Sequence, residues 1–132
     1  GQMVSDAAIY ENFAQFPEER ELLFDAIDAL DISGVVFITG DRHNSELSKT
    51  RLPGGNWIYD LTVSPLTSSS YDHEDEPNNN REPGTMVGIR NYGVLNFSGP
   101  SEARVLKMIV KDADGLALWT RSIHANNGYV LN

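Results

Sequence analysis

Hydrophobic and polar positions alternate in two rhythms along the chain, and the helical one comes first. Leu22, Leu23, Ala26, Ile27 and Leu30 recur at the spacing of one helix face. Pro17 suits the first helical position, and Glu18, Glu19 and Glu21 follow where the helix dipole favours anions. Ser33-Gly34 is the expected stop, which predicts a helix over about residues 17–31, with Phe13 and Phe16 folding back on its apolar face. Val35-Val36-Phe37-Ile38 follows at once. An unbroken, β-branched apolar run of this kind predicts a strand buried on both faces, the habit of parallel strands. Trp57, Tyr59 and Leu61 alternate with Ile58, Asp60 and Thr62, predicting a strand over 56–63. Residues 64–85 change character to Ser, Asn, Pro and acids, which predicts one long, mobile acidic loop. A strand is expected at Tyr92–Phe97. A hairpin of 104–111 and 116–124 should turn at Asp112-Ala113-Asp114-Gly115.

With 132 residues the chain suits a single domain over 1–132, and a helix leading into a buried strand suggests an α/β fold. One helix is expected to pack on a mixed sheet, with a parallel-type strand at 35–39 and antiparallel strands in the C-terminal third. No run is long enough to span a membrane as a helix. The opening Gly1-Gln2-Met3 reads as an artificial junction, so a missing leader says little about the parent protein's location. The absence of cysteine excludes disulfides, thiolate metal sites and cysteine nucleophiles. Nineteen acids against ten bases leave a net charge of -9, which argues against nucleic acid as a partner. The acids concentrate in residues 18–31 and 72–82, where a solvated face is the plain reading.

Candidate chemistry gathers where the apolar strand ends, at Thr39-Gly40-Asp41-Arg42-His43-Asn44-Ser45-Glu46-Leu47. Ligands of open α/β sheets collect at the carboxyl ends of strands. Gly40 should allow a sharp turn. Asp41 and His43 are two apart, so an extended loop would point both to one side, where each could hold one of two metal ions. This spacing alone is weak evidence, because a lone histidine is more often a hydrogen-bonded structural residue. Arg42, Lys49 and Arg51 form the one basic cluster; they could face a phosphate or pair with Glu46 in solvent. Ser45 is too close in sequence to His43 and Asp41 for triad geometry. His73, within Tyr71-Asp72-His73-Glu74-Asp75-Glu76, lacks the Gly-centred spacing of a calcium loop, so an acidic loop tip is the better reading. His124 is expected to be structural or exposed.

Gly40-Asp41-Arg42-His43, preceded by Val35–Thr39 and followed by Ser45-Glu46-Leu47-Ser48, resembles the last metal-binding motif of PhoD-type alkaline phosphatases, within the calcineurin-like metallophosphoesterase superfamily. Phe16–Leu23 resembles the helix before that motif. Tyr59–Thr67 resembles the strand ending in a Ser-rich turn, and Asn80–Thr85 with Asn91-Tyr92-Gly93 resembles the return to the C-terminal strands. The resemblance spans roughly residues 13–124. It implies half of an α-β-β-α sandwich, with His43 as a direct metal ligand, Asp41 at or beside a second metal and Arg42 toward the substrate. Two divalent or trivalent ions are implied, for which iron, manganese, zinc and calcium suit the donors about equally. The implied activity is hydrolysis of phosphate mono- or diesters by metal-activated hydroxide.

The superfamily's earlier acidic and Asn-His motifs do not occur upstream of residue 40. The chain is therefore expected to be the C-terminal part of such an enzyme and inactive by itself, with no complete catalytic set of its own. The alternative is a non-catalytic module of the same fold. A sheet lacking its neighbours leaves open edges, so a homo-oligomer is expected through them. Family members are often exported, which points to an extracytoplasmic parent.

Overall fold

A computed structural model describes residues 1–132 as one helix and two three-stranded sheets. The first sheet holds β1 (Val35–Thr39), β2 (Ser45–Arg51) and β3 (Trp57–Val63) in the order β1-β3-β2, with β1 parallel and β2 antiparallel to β3. The second is an antiparallel meander of β4 (Asn91–Ser98), β5 (Val105–Asp112) and β6 (Ala117–His124). The expected mixed sheet and C-terminal hairpin are both present, the antiparallel strands forming a separate layer. At the hairpin turn the Asp112 carboxylate accepts the N–H groups of Asp114 and Leu116, and Gly115 takes φ +88°.

Alternation along β3 divides the core in two. Its odd residues Tyr59 and Leu61, with Leu47, face the second sheet and meet Leu106, Met108, Val110, Trp119 and Ile123. Burial pushes the Tyr59 hydroxyl up to about 12, and that hydroxyl donates to the Tyr129 carbonyl at 2.6 Å. On the opposite face Ile58 packs with Val4, Ile27 and Leu52 beneath α1 (Pro17–Ala29).

Three expectations change. First, α1 stops at Ala29; Asp31 takes φ +51°, and Ile32 N–H returns to the Ile27 carbonyl at 3.0 Å, closing the helix before Ser33. Its packing face is centred on Ile27 with Leu23 and Phe24, so Leu22 and Leu30 of the expected face, and Phe16 before it, lie exposed. Second, β1 is an edge strand, not one buried on both faces. Val35 and Phe37 pack under α1 and Val36 against the inter-sheet core, but Ile38 is 56% exposed. Third, β2 is a strand that the hydrophobic pattern does not announce. The N-terminal segment packs inward: Gln2 and Val4 are buried, and the N–H groups of Met3 and Val4 donate to Asp60.

Residues 64–85 contain no helix or regular strand, as expected, yet their end runs along β2. Lys49 N–H donates to the Asn80 carbonyl, Glu82 N–H to the Leu47 carbonyl, and Ser45 and Val87 exchange both backbone bonds. The outer edge of β2 is thereby covered, whereas those of β1 and β4 have no strand beside them.

Candidate functional site

The segment Gly40–Asn44 leaves the carboxyl end of β1 and turns back into antiparallel β2 within five residues. Gly40 is not the residue that makes this turn. The left-handed backbone falls at Asp41 (φ +69°) and His43 (φ +61°), on either side of Arg42. The loop is therefore not extended, and simple alternation does not set the directions of Asp41 and His43. Left-handed conformations are tolerated better by Asp and His than by most residues, but they still carry strain.

The Ser-rich turn after β3 holds this loop in place. His43 N–H donates to Ser64 Oγ at 3.0 Å, Ser64 N–H donates to the Asn44 carbonyl at 3.2 Å, and Tyr71 N–H donates to the His43 carbonyl at 2.9 Å. Ser45 is fully buried and donates to Asn91 Oδ1. Below the loop, Thr39 Oγ1 donates to Asp60 Oδ1 at 2.7 Å. Burial raises the Asp60 carboxyl above the usual range, against the opposing pull of hydrogen bonds from Thr39, Val4 and Met3.

Asp41, Arg42 and His43 come together on one cleft of about 590 Å³. Tyr10 and Glu11 of the N-terminal segment, and Tyr71, Asp72 and His73 of the long loop, form its other walls. The Tyr71 ring stacks on His43 at 5.4 Å between centroids. His43 Nδ1 lies 2.8 Å from the Ser69 carbonyl. Because a carbonyl only accepts, Nδ1 carries the hydrogen, and in the neutral ring Nε2 keeps a lone pair. Metal-ligating histidines are commonly oriented in this way. The Asp41 side chain is exposed and has no hydrogen-bond partner in the protein. The two side chains amount to two possible donors on the cleft. No group of three or more His, Asp or Glu side chains is assembled to hold an ion.

Arg42 lines the cleft but does not make the ion pair considered for it. It does not pair with Glu46, which is buried and bound by Arg81 and Gln2. The Arg42 guanidinium is itself buried, lies over the Tyr10 ring at 4.6 Å, and pairs with Glu76. Lys49 and Arg51 are not its neighbours in function: Lys49 pairs with Glu82 over Trp57, and Arg51 bonds the Gly55 carbonyl. The basic cluster in sequence is thus dispersed in space. His73 Nδ1 meets the other Glu76 oxygen at 2.6 Å, so this part of the acidic loop is internally paired.

Tyr10, Glu11 and Tyr71 are wall residues that sequence reasoning does not single out. Each lies about 30 residues from the motif in sequence, and only folding brings it there. No family model matches the chain, and no curated protein or solved structure matches it either.

Proposed function

We propose that this chain is the C-terminal part of a metal-dependent phosphatase acting on phosphate mono- or diesters, resembling the PhoD type. The observation that carries the reading is His43 on a cleft at the carboxyl end of β1, with Nδ1–H spent on the Ser69 carbonyl and Nε2 left for a ligand. Bound metal ions would supply activated water and neutralise charge on the phosphate. The chain's own contribution is narrower: His43 and Asp41 each offer one donor, and Arg42 offers a fixed guanidinium to phosphate oxygens. Two donors are too few for a binuclear centre, so hydrolysis would require ligands from outside these residues.

The test is metal retention after reconstitution with iron, manganese, zinc or calcium, on the chain and on His43→Ala in parallel. Retention by the wild-type chain that His43→Ala loses is the expected result. No retention in either, or equal retention in both, overturns the reading.

A non-catalytic, self-associating module is the second reading. It is favoured by the open edge of β1 and by exposed Ile38, with Phe97 61% exposed on the open-edged β4.

A further inference from the structure

We propose that Glu76 occupies the place of a phosphate group: Arg42 and His73 form an oxyanion site that the chain's own carboxylate fills when no phosphate is bound. The inference rests on the reading of this cleft as a phosphate site, but it requires no metal.

The donors are already arranged around an anion. One Glu76 oxygen accepts from Arg42 Nη2, and His73 Nδ1 lies 2.6 Å from the other. Both carboxylate oxygens thus already face a nitrogen. A third donor remains, because Arg42 Nε is buried without a partner. A carboxylate has two oxygens for three donors, whereas a phosphoryl group brings three terminal oxygens. Leaving a buried donor of a charged group unpaired is costly, and a tetrahedral anion would relieve that cost.

Charge points to the same place. Glu11, Asp41 and Asp72 line the cleft, and Arg42 is the one Lys or Arg residue among its walls. The three acids disfavour an anion beside them, whereas this guanidinium already holds a carboxylate. Tyr10 fixes the guanidinium plane from one side.

Exchange does not require the loop to unfold. Arg81 holds the carbonyls of Glu74 and His73 at 2.9 and 3.0 Å, and Arg81 is itself anchored on buried Glu46. Glu76 N–H also returns to the His73 carbonyl at 3.0 Å. The backbone is thus secured independently of the Glu76 carboxylate, which is 19% exposed, so exchange would need only that side chain to turn outward.

Inorganic phosphate titrated at constant ionic strength into metal-free, ¹⁵N-labelled chain tests this. The readouts are the Arg42 Nε–H and His73 ring resonances. Glu76→Gln keeps the shape and removes the competing charge, so phosphate should bind at least about tenfold more tightly than to wild type, the worth of one charge-assisted hydrogen bond. Glu76→Asp keeps the charge but is one methylene short of bridging both donors, and should fall between. Equal phosphate response in all three proteins, no response in any, or shifts confined to other residues overturns the proposal. Loss of the folded spectrum in both variants would make Glu76 a structural counter-ion, and overturns it too. Failure of metal retention with phosphate exchange intact would sink the metal reading alone.

Discussion

Asp41 and His43 each hold a backbone conformation that an L-residue adopts at a cost of about 1 kcal/mol or somewhat more. His43 is compensated by its hydrogen bonds to Ser64 and Ser69, but Asp41 has no side-chain partner. Strain of this kind without a visible structural return is found disproportionately at functional sites. Asp41→Gly is therefore expected to stabilise the fold by up to about 1 kcal/mol in urea denaturation, because glycine adopts the left-handed region freely. The same change should reduce metal retention. Destabilisation by Asp41→Gly would mean that the carboxylate supports the loop, and the functional argument for it would fall. The residue types of this motif were legible in the sequence, but their conformation was not. Gly40 was expected to turn the chain, and the turn falls on its neighbours because β2 begins immediately afterwards and the loop has only five residues in which to reverse.

Strand β2 explains most of what the hydrophobic pattern could not reveal. Ser45-Glu46-Leu47-Ser48-Lys49-Thr50-Arg51 has one strongly apolar residue, yet its first four positions are buried. Glu46 and Ser48 face the same side as their register partners Thr62 and Asp60, and this side is covered by a polar layer instead of an oily one. Gln2 bonds Glu46, and Asn78 bonds Ser48, so segments distant in sequence satisfy the strand. Periodicity detects apolar faces only, and a buried polar face escapes it. By contrast α1 was legible, because Pro17 and its acids mark the start whatever covers the helix later.

Asp60 sits in this layer and gives it a pH dependence. Its folded carboxyl titrates above the unfolded value because burial outweighs the donated hydrogen bonds. The folded state therefore holds the proton more tightly, so this contribution favours folding at acidic pH and is lost as pH rises through the raised value. Asp60→Asn can still accept from Met3 and Val4 and can turn its amide to Thr39. It is expected to raise the melting temperature at neutral pH, with a gain that shrinks on acidification. Asp60→Leu, which leaves the N–H groups of Met3 and Val4 without an acceptor, should cost about 2 kcal/mol or more. A melting temperature for Asp60→Asn well below wild type at neutral pH would show that ionised Asp60 stabilises the interior.

Across the whole molecule, each sheet has one covered edge and one open edge. The 80–87 segment runs beside β2, and Leu131 pairs with Ile123 beside β6, whereas β1 and β4 have no neighbour. Val35–Thr39 lacks the charges, prolines and bulges by which open edges are usually protected. This composition is what predicted burial on both faces, whereas β1 is an edge strand. Pairing of β1 edges between two copies would provide a neighbour. Light scattering is expected to show dimers or larger species that dissociate on dilution. Ile38→Lys places a charge on the exposed side of this edge and should convert them to monomers without loss of the folded far-ultraviolet spectrum. A sharp monomer peak for the wild-type chain at micromolar concentration would leave the β1 edge unused by self-association. The strand's apolar composition would then favour the first reading, in which the missing neighbour comes from other parts of a larger enzyme along with the missing metal ligands.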